Sequence, residues 1–205
     1  ISYNYLNKSY IYLSLLIDEW RPSITFDENN NNWFAYQAGI KNLPFLPEGH
    51  SLIIEYTKTD PRIYRHRFNM NDYYSSNKPI GFWAGPNASH ISLYYKIKNI
   101  NNSLSFDCNI LSRGELTEEM LKQQYLQTFS VYDGIVEKVL NFEARYSREI
   151  FNDFSIYSSF IYTDWQNYNL LPYENYISSS NVESLLNLNK FSVLVGFKYN
   201  SDRFF

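Results

Sequence analysis

The chain has 205 residues, a formal net charge of -3 and a pI of about 5.6, so no overall positive field favours nucleic acid as a partner. A mean hydropathy of -0.42, without any run near the ~18 uncharged apolar residues of a spanning helix, argues against helical membrane crossing. Aromatic side chains make up 19% of the chain, with 20 Tyr and 15 Phe, an excess that suits rings anchored at two membrane interfaces.

Period-two alternation predicts about eight strands, each with one oily and one wet face. The first, about 9–17, sets Ile11, Leu13, Leu15 and Ile17 against Tyr10, Tyr12, Ser14 and Leu16. The second, near 33–41, sets Phe34, Tyr36, Ala38 and Ile40 against Ala35, Gln37, Gly39 and Lys41. The third, 51–58, sets Leu52, Ile54 and Tyr56 against Ser51, Ile53, Glu55 and Thr57. The fourth, 90–98, sets Ile91, Leu93, Tyr95 and Ile97 against His90, Ser92, Tyr94, Lys96 and Lys98. The fifth, 103–111, gives the clearest signal: Leu104, Phe106, Cys108 and Ile110 alternate with Ser103, Ser105, Asp107 and Asn109. A sixth spans about 135–148 and a seventh about 153–165. The eighth, 190–199, sets Phe191, Val193, Val195, Phe197 and Tyr199 against Ser192, Leu194, Gly196, Lys198 and Asn200. These lengths match the ~9–11 residues with which a tilted strand crosses a bilayer. Glu55, Lys96, Asp107, Glu143, Arg145 and Lys198 fall on the wet face, where a lumen hydrates them. Lys138 falls on the oily face, which a membrane tolerates only near an interface.

The connections are informative too. Short links near 99–102 and 149–152 and a moderate one at 42–50 alternate with long ones at 18–32, 59–89, 112–133 and 166–189. Outer-membrane barrels have short periplasmic turns and long external loops, so the alternation predicts four external loops and a periplasmic C-terminus. Six prolines, Pro44, Pro47, Pro61, Pro79, Pro86 and Pro172, fall between strands. Thr117, followed by Glu118 and Glu119, predicts a short capped helix folded over the barrel mouth. A soluble lectin-like sheet or sandwich stays open on composition alone.

Catalytic signatures are few, and no enzymatic activity is expected. There is no nucleophile elbow, zinc-protease helix or glycine-rich phosphate loop. His50, His66 and His90 lie far apart in the sequence, and Cys108 is the one cysteine, so no metal, cofactor or intrachain disulfide is expected. The outward position of Cys108 beside Phe106 and Ile110 marks an inert apolar thiol. Asp18 and Glu19 read as hydrated rim charges.

One block is more specific. Leu52-Ile53-Ile54-Glu55-Tyr56 is followed by Pro61-Arg62-Ile63-Tyr64-Arg65-His66. Then come Lys78-Pro79-Ile80-Gly81-Phe82-Trp83-Ala84-Gly85-Pro86-Asn87-Ala88 and the strand Ile91-Ser92-Leu93-Tyr94-Tyr95. The block resembles the capsule assembly Wzi family of bacterial outer-membrane proteins, in which a strand bearing Glu-Tyr precedes a Pro/Tyr/His segment, then Pro-Leu-Gly and Gly-Pro-Asp. Tyr12 through Ile17-Asp18-Glu19 resembles that family's strand ending in paired acids. Asn87 stands where the family has Asp, and Glu19 where it has a second Asp. The resemblance covers roughly residues 8–112.

It implies that residues 1–205 are the C-terminal part of one barrel domain of about eighteen strands. Such a barrel is partly occluded by an N-terminal helical bundle, sits in the bacterial outer membrane among its lipids, and is expected to be monomeric. It binds exopolysaccharide and helps attach capsule to the cell surface. The start at Ile1 agrees with a mature or truncated piece, whose strands at 9–17 and 190–199 are expected to pair with neighbours outside it. Tyr64, Phe82 and Trp83 are candidates for stacking on sugar rings, and Glu55, Arg62, His66 and Asn87 for polar contact or rim pairing. Glu55 is expected to pair with Arg62 or Arg65. Gly81, Gly85, Pro86, Asp18 and Glu19 are read as structural members of the motif. A general outer-membrane porin or transport channel is the alternative, drawn from the charged wet face.

Overall fold

Alternating sequences make strands, and matching oily rows fix how the strands pair. The structure is a computed structural model and describes residues 2–5, 9–24, 32–64, 74–75, 78–116, 134–151, 154–168 and 186–199. Its strands are β1 (Ser2–Tyr5), β2 (Ser9–Glu19), β3 (Trp33–Lys41), β4 (His50–Thr59), β5 (Tyr74–Ser75), β6 (Lys78–Pro79), β7 (Ala88–Lys98), β8 (Asn102–Gly114), β9 (Val136–Phe151), β10 (Phe154–Tyr168) and β11 (Leu186–Tyr199). Nine form one sheet in the order β1-β2-β3-β4-β7-β8-β9-β10-β11, while β5 and β6 make a separate two-residue ladder. Every pairing in both sheets is antiparallel. The protein is therefore all-β among its described residues, apart from the single 3-10 turn Pro22–Ile24.

All eight predicted strands are present, most of them longer than predicted. The ninth, β1, pairs with β2 from Ser2 opposite Tyr12 to Tyr5 opposite Ser9. This corrects the expectation that strand 9–17 is an edge whose outer neighbour lies outside the chain. No ladder joins β1 to β11 among the described residues. The helix predicted from Thr117 lies outside those residues, as do Arg65 and His66.

Because sequential neighbours are antiparallel, the links at 6–8, 42–49, 99–101 and 152–153 share one end of the sheet. Those at 20–32, 60–87, 115–135 and 169–185 share the other. Local chemistry shapes the short ones. Asn42 is left-handed (φ 54), a conformation asparagine tolerates, and its side-chain carbonyl accepts from Leu52 N and Ser51 Oγ, both at 3.0 Å. Asn99 similarly accepts from Asn102 N at 2.9 Å, closing the tight turn.

The oily rows form one face. A continuous hydrogen-bonded row runs Ile40, Ile54, Leu93, Cys108, Phe142, Tyr162, Phe191. Ile40 ends the oily run of β3 at the short-turn side, whereas Phe191 begins the run of β11 at the long-loop side. Across the sheet the oily band therefore slides against the hydrogen-bonded rows by about one residue per strand, which with ordinary strand spacings is a tilt of about 35°. The next row toward the long loops passes from Ile110 and Leu140 to Asp164 and Asn189, as the slide requires. Lys138 lies beyond the band, in a polar row with Lys58, Ser89, Ser112 and Gln166.

This oily face is uncovered: Val195 and Phe197 are each 74% exposed, and Ile11, Leu13, Leu15, Ile91 and Ile110 are exposed as well. Burial occurs instead on the wet face, at the long-loop end. There Ala35, Ile63 and Tyr64 form one cluster and Ala84, Ala88 and Leu111 another, with Phe82 packed against both. Two glycines on this face let a tyrosine of the adjacent strand lie across the backbone. Tyr12 covers Gly39, and Tyr157 covers Gly196, where an added Cβ meets the phenol oxygen at 2.5 Å.

Candidate functional site

The segments 60–64 and 80–88, far apart on their long link, fold back together onto the wet face. Residue chemistry explains each step. Thr59, at the end of β4, is fully buried and donates its hydroxyl to Gly85 O at 2.7 Å while accepting from Ala88 N at 3.1 Å. Asp60 N donates to Phe34 O at 2.9 Å. The Asp60 carboxylate then accepts from the Arg62 guanidinium at 3.0 and 3.1 Å, and a third Arg62 bond reaches Asn32 O at 3.1 Å. The guanidinium also lies 5.3 Å from the centre of the Trp33 ring, a cation–π contact. These bonds fix the loop entry.

The return is fixed by conformation. Tyr64 is left-handed (φ 67), and its phenol oxygen accepts from Phe82 N at 3.1 Å. Gly81 (φ 153) sits against that ring, and a Cβ there would lie 2.8 Å from the phenol oxygen. Gly85 is also at positive φ (75), followed by buried Pro86 and Asn87. Asn87 (φ 52) donates its side-chain amide to Glu115 O at 3.2 Å, and its carbonyl accepts from Gly114 N at 2.8 Å. It thus ties the loop to β8. Replacing Gly81 by Ala is expected to lower stability by about 1–3 kcal/mol, because both the positive φ and the Tyr64 ring oppose a methyl group. An unchanged midpoint in a denaturant titration of the folded protein would contradict this.

The predicted site residues therefore separate into scaffold and surface. Arg62, Tyr64 and Asn87 are buried; the Tyr64 ring is packed in the core cluster and offers no free face, contrary to its expected stacking role. Glu55 accepts a hydrogen bond from the Tyr12 hydroxyl, and Arg62 pairs with Asp60, which corrects the expected Glu55–Arg62 pairing. Asp18 is exposed, and Glu19 registers at a bulge opposite Trp33, one strand from the loop. Phe82 is half-buried. Trp83 is 61% exposed and contacts Phe82 (5.7 Å between ring centres) and the edge of His90 (5.4 Å, 84°). His90 Nε2 is 3.1 Å from Asn109 Oδ1, and Asn109 donates onward to Asp107. The result is one exposed indole on a rigid mount, above a polar strip.

Sequence reasoning missed His90 as a support and missed a buried triad beside it. Glu137, 1% exposed, accepts from Arg113 (Nη2 at 2.5 Å, Nε at 2.7 Å) and from Trp165 Nε1 at 2.7 Å. No spacing rule joins these residues, because they meet through register across β8, β9 and β10. Among the described residues no group of three or more His, Cys, Asp or Glu is arranged to hold a metal ion, and no helix is long and apolar enough to cross a membrane. Compared with protein-family models, curated proteins and solved structures, the chain has no match in any of the three.

Proposed function

We propose that this chain is part of an outer-membrane β-barrel, of about eighteen strands by its Wzi-family resemblance, that binds exopolysaccharide and helps hold capsule at the cell surface. The observation that carries the membrane reading is the uncovered oily band and its slide. A soluble sheet buries such a face, whereas a tilt of about 35° is that of barrel strands crossing a bilayer. The core on the wet face fits a loop folded into a lumen. The glycan reading rests on the resemblance of residues 52–95 and on Trp83, since a flat aromatic on a fixed mount stacks on a pyranose at small entropic cost. In this reading Trp83 and Phe82 meet the sugar, Glu55 offers an acceptor further down the wet face, and Arg62, Tyr64, Asn87, Gly81, Gly85 and Pro86 hold the platform. The wet-face charges Lys96, Glu143 and Arg145 favour a conducting channel as second reading, which single-channel conductance in planar bilayers would reveal.

Two results are expected on cells. A tag inserted within 169–185 is labelled on intact cells, and a tag at Asn101 only after permeabilisation; the reverse pattern contradicts the orientation. Trp83→Ala releases polysaccharide into the medium while barrel assembly, read as heat-modifiable migration, is retained. Unchanged capsule retention in a correctly assembled variant would move sugar recognition elsewhere.

A further inference from the structure

On β4, β7, β8 and β9, the rows of the wet face below Trp83 hold carboxylates nearer to it than lysine or arginine. The platform stands over His90, which registers opposite Thr57 on one side and Leu111 on the other. The next row of the wet face holds Glu55, Ser92 and Asn109, and the row after it Tyr94, Asp107 and Glu143. Glu55 and Asp107 receive hydrogen bonds from neutral donors, the Tyr12 hydroxyl and the Asn109 amide. Among the described residues at this end, Arg113 pairs with Glu137 and Arg62 with Asp60. Lys96 and Arg145 lie a row further toward the short turns, and Arg145 pairs with Glu143 at 2.6 Å. A sugar stacked on the Trp83 face therefore meets an aromatic surface and, in the next two rows of described wet-face residues on these four strands, the carboxylates of Glu55, Asp107 and Glu143 before any lysine or arginine.

We propose that Trp83 is a stacking subsite for an uncharged hexopyranose residue, and that Glu55 and Asp107 discriminate against uronic acids; this rests on the glycan-binding reading above. Carboxylates brought into a cleft already lined by carboxylates are repelled, and low-dielectric walls concentrate that field. An equatorially substituted pyranose instead presents axial C–H groups to the indole and hydroxyl donors to the two acids.

The test uses the full chain, folded in detergent, with two probes of equal length: cellohexaose and its C6-oxidised, fully carboxylated counterpart. Cellohexaose is expected to bind at least about tenfold more tightly at low salt, and Trp83→Ala to weaken it by about tenfold. Added salt should narrow the gap between the probes by screening the repulsion. The double variant Glu55→Gln, Asp107→Asn should narrow it without salt, and the salt titration decides the point if that variant misfolds. Equal or tighter binding of the carboxylated probe overturns the proposal while leaving glycan binding intact. Binding of neither probe, or binding of cellohexaose indifferent to Trp83→Ala, also overturns it, and capsule retention on cells then decides separately whether the broader reading stands.

Discussion

On the proposed membrane reading, arginine in place of Leu93 is expected to lower folding stability in lipid vesicles by about 2–4 kcal/mol, the cost of a cation facing lipid near a midplane. Leu93 lies within the oily run of β7, between Ile54 and Cys108 on the neighbouring strands. Its neighbour Ser92 faces the other way, between Glu55 and Asn109, so arginine there has water and a carboxylate close by and should cost under about 1 kcal/mol. The contrast between adjacent positions is the informative quantity, because strand propensity and local backbone effects are shared. Equal losses at both positions, read by fraction folded against urea, would contradict the membrane-facing assignment.

Replacing Glu137 by Ala is expected to cost about 3–5 kcal/mol, the range seen when one member of a buried ion pair is removed. Glu137 is 1% exposed, and the Arg113 side chain it accepts from is itself mostly buried. Removing the carboxylate takes a counter-ion from Arg113 and an acceptor from Trp165 Nε1. Glu137→Gln, which keeps an acceptor for the indole, should recover part of the loss. Because the triad joins β8, β9 and β10, the loss should appear as loosening at the long-loop end: hydrogen exchange at Gly114 and Val136 should speed up, while Ser103 and Ser147 at the other end stay protected. Uniform exchange, or a loss under about 1 kcal/mol, would show that the pair is idle.

The all-β class, the eight long strands and the grouping of long links at one end were legible in the sequence, because each depends on local alternation. Residues 103–111 are the clearest case: Leu104, Phe106, Cys108 and Ile110 alternate with Ser103, Ser105, Asp107 and Asn109 and leave one possible register of faces. The start of β11 was less legible. Leu186 and Leu188 alternate with Asn187 and Asn189, so at that end the apolar residues sit on the wet side and the oily period begins only at Phe191. β1 was missed because Ser2–Tyr5 is too short to show a period. The motif glycines were legible as backbone devices, but which atom each one cleared was not, since the Tyr64 ring that packs on Gly81 lies 17 positions earlier in the chain.

The sequence by itself determined which residues face together, because side-chain alternation is a property of each strand alone. Only the tertiary structure decided how those strands were staggered, where the buried core lay and which candidate residues were free. The slide of the oily band emerges from pairing nine strands, and no single strand carries it. The burial of Tyr64 and Asn87 and the exposure of Trp83 follow from a loop folding back across a neighbouring strand. The salt link Asp60–Arg62 took the place of the expected Glu55–Arg62 pairing, and Arg113–Glu137 had no counterpart in the sequence reading, because charge partners are chosen by distance in space, which register and loop closure set.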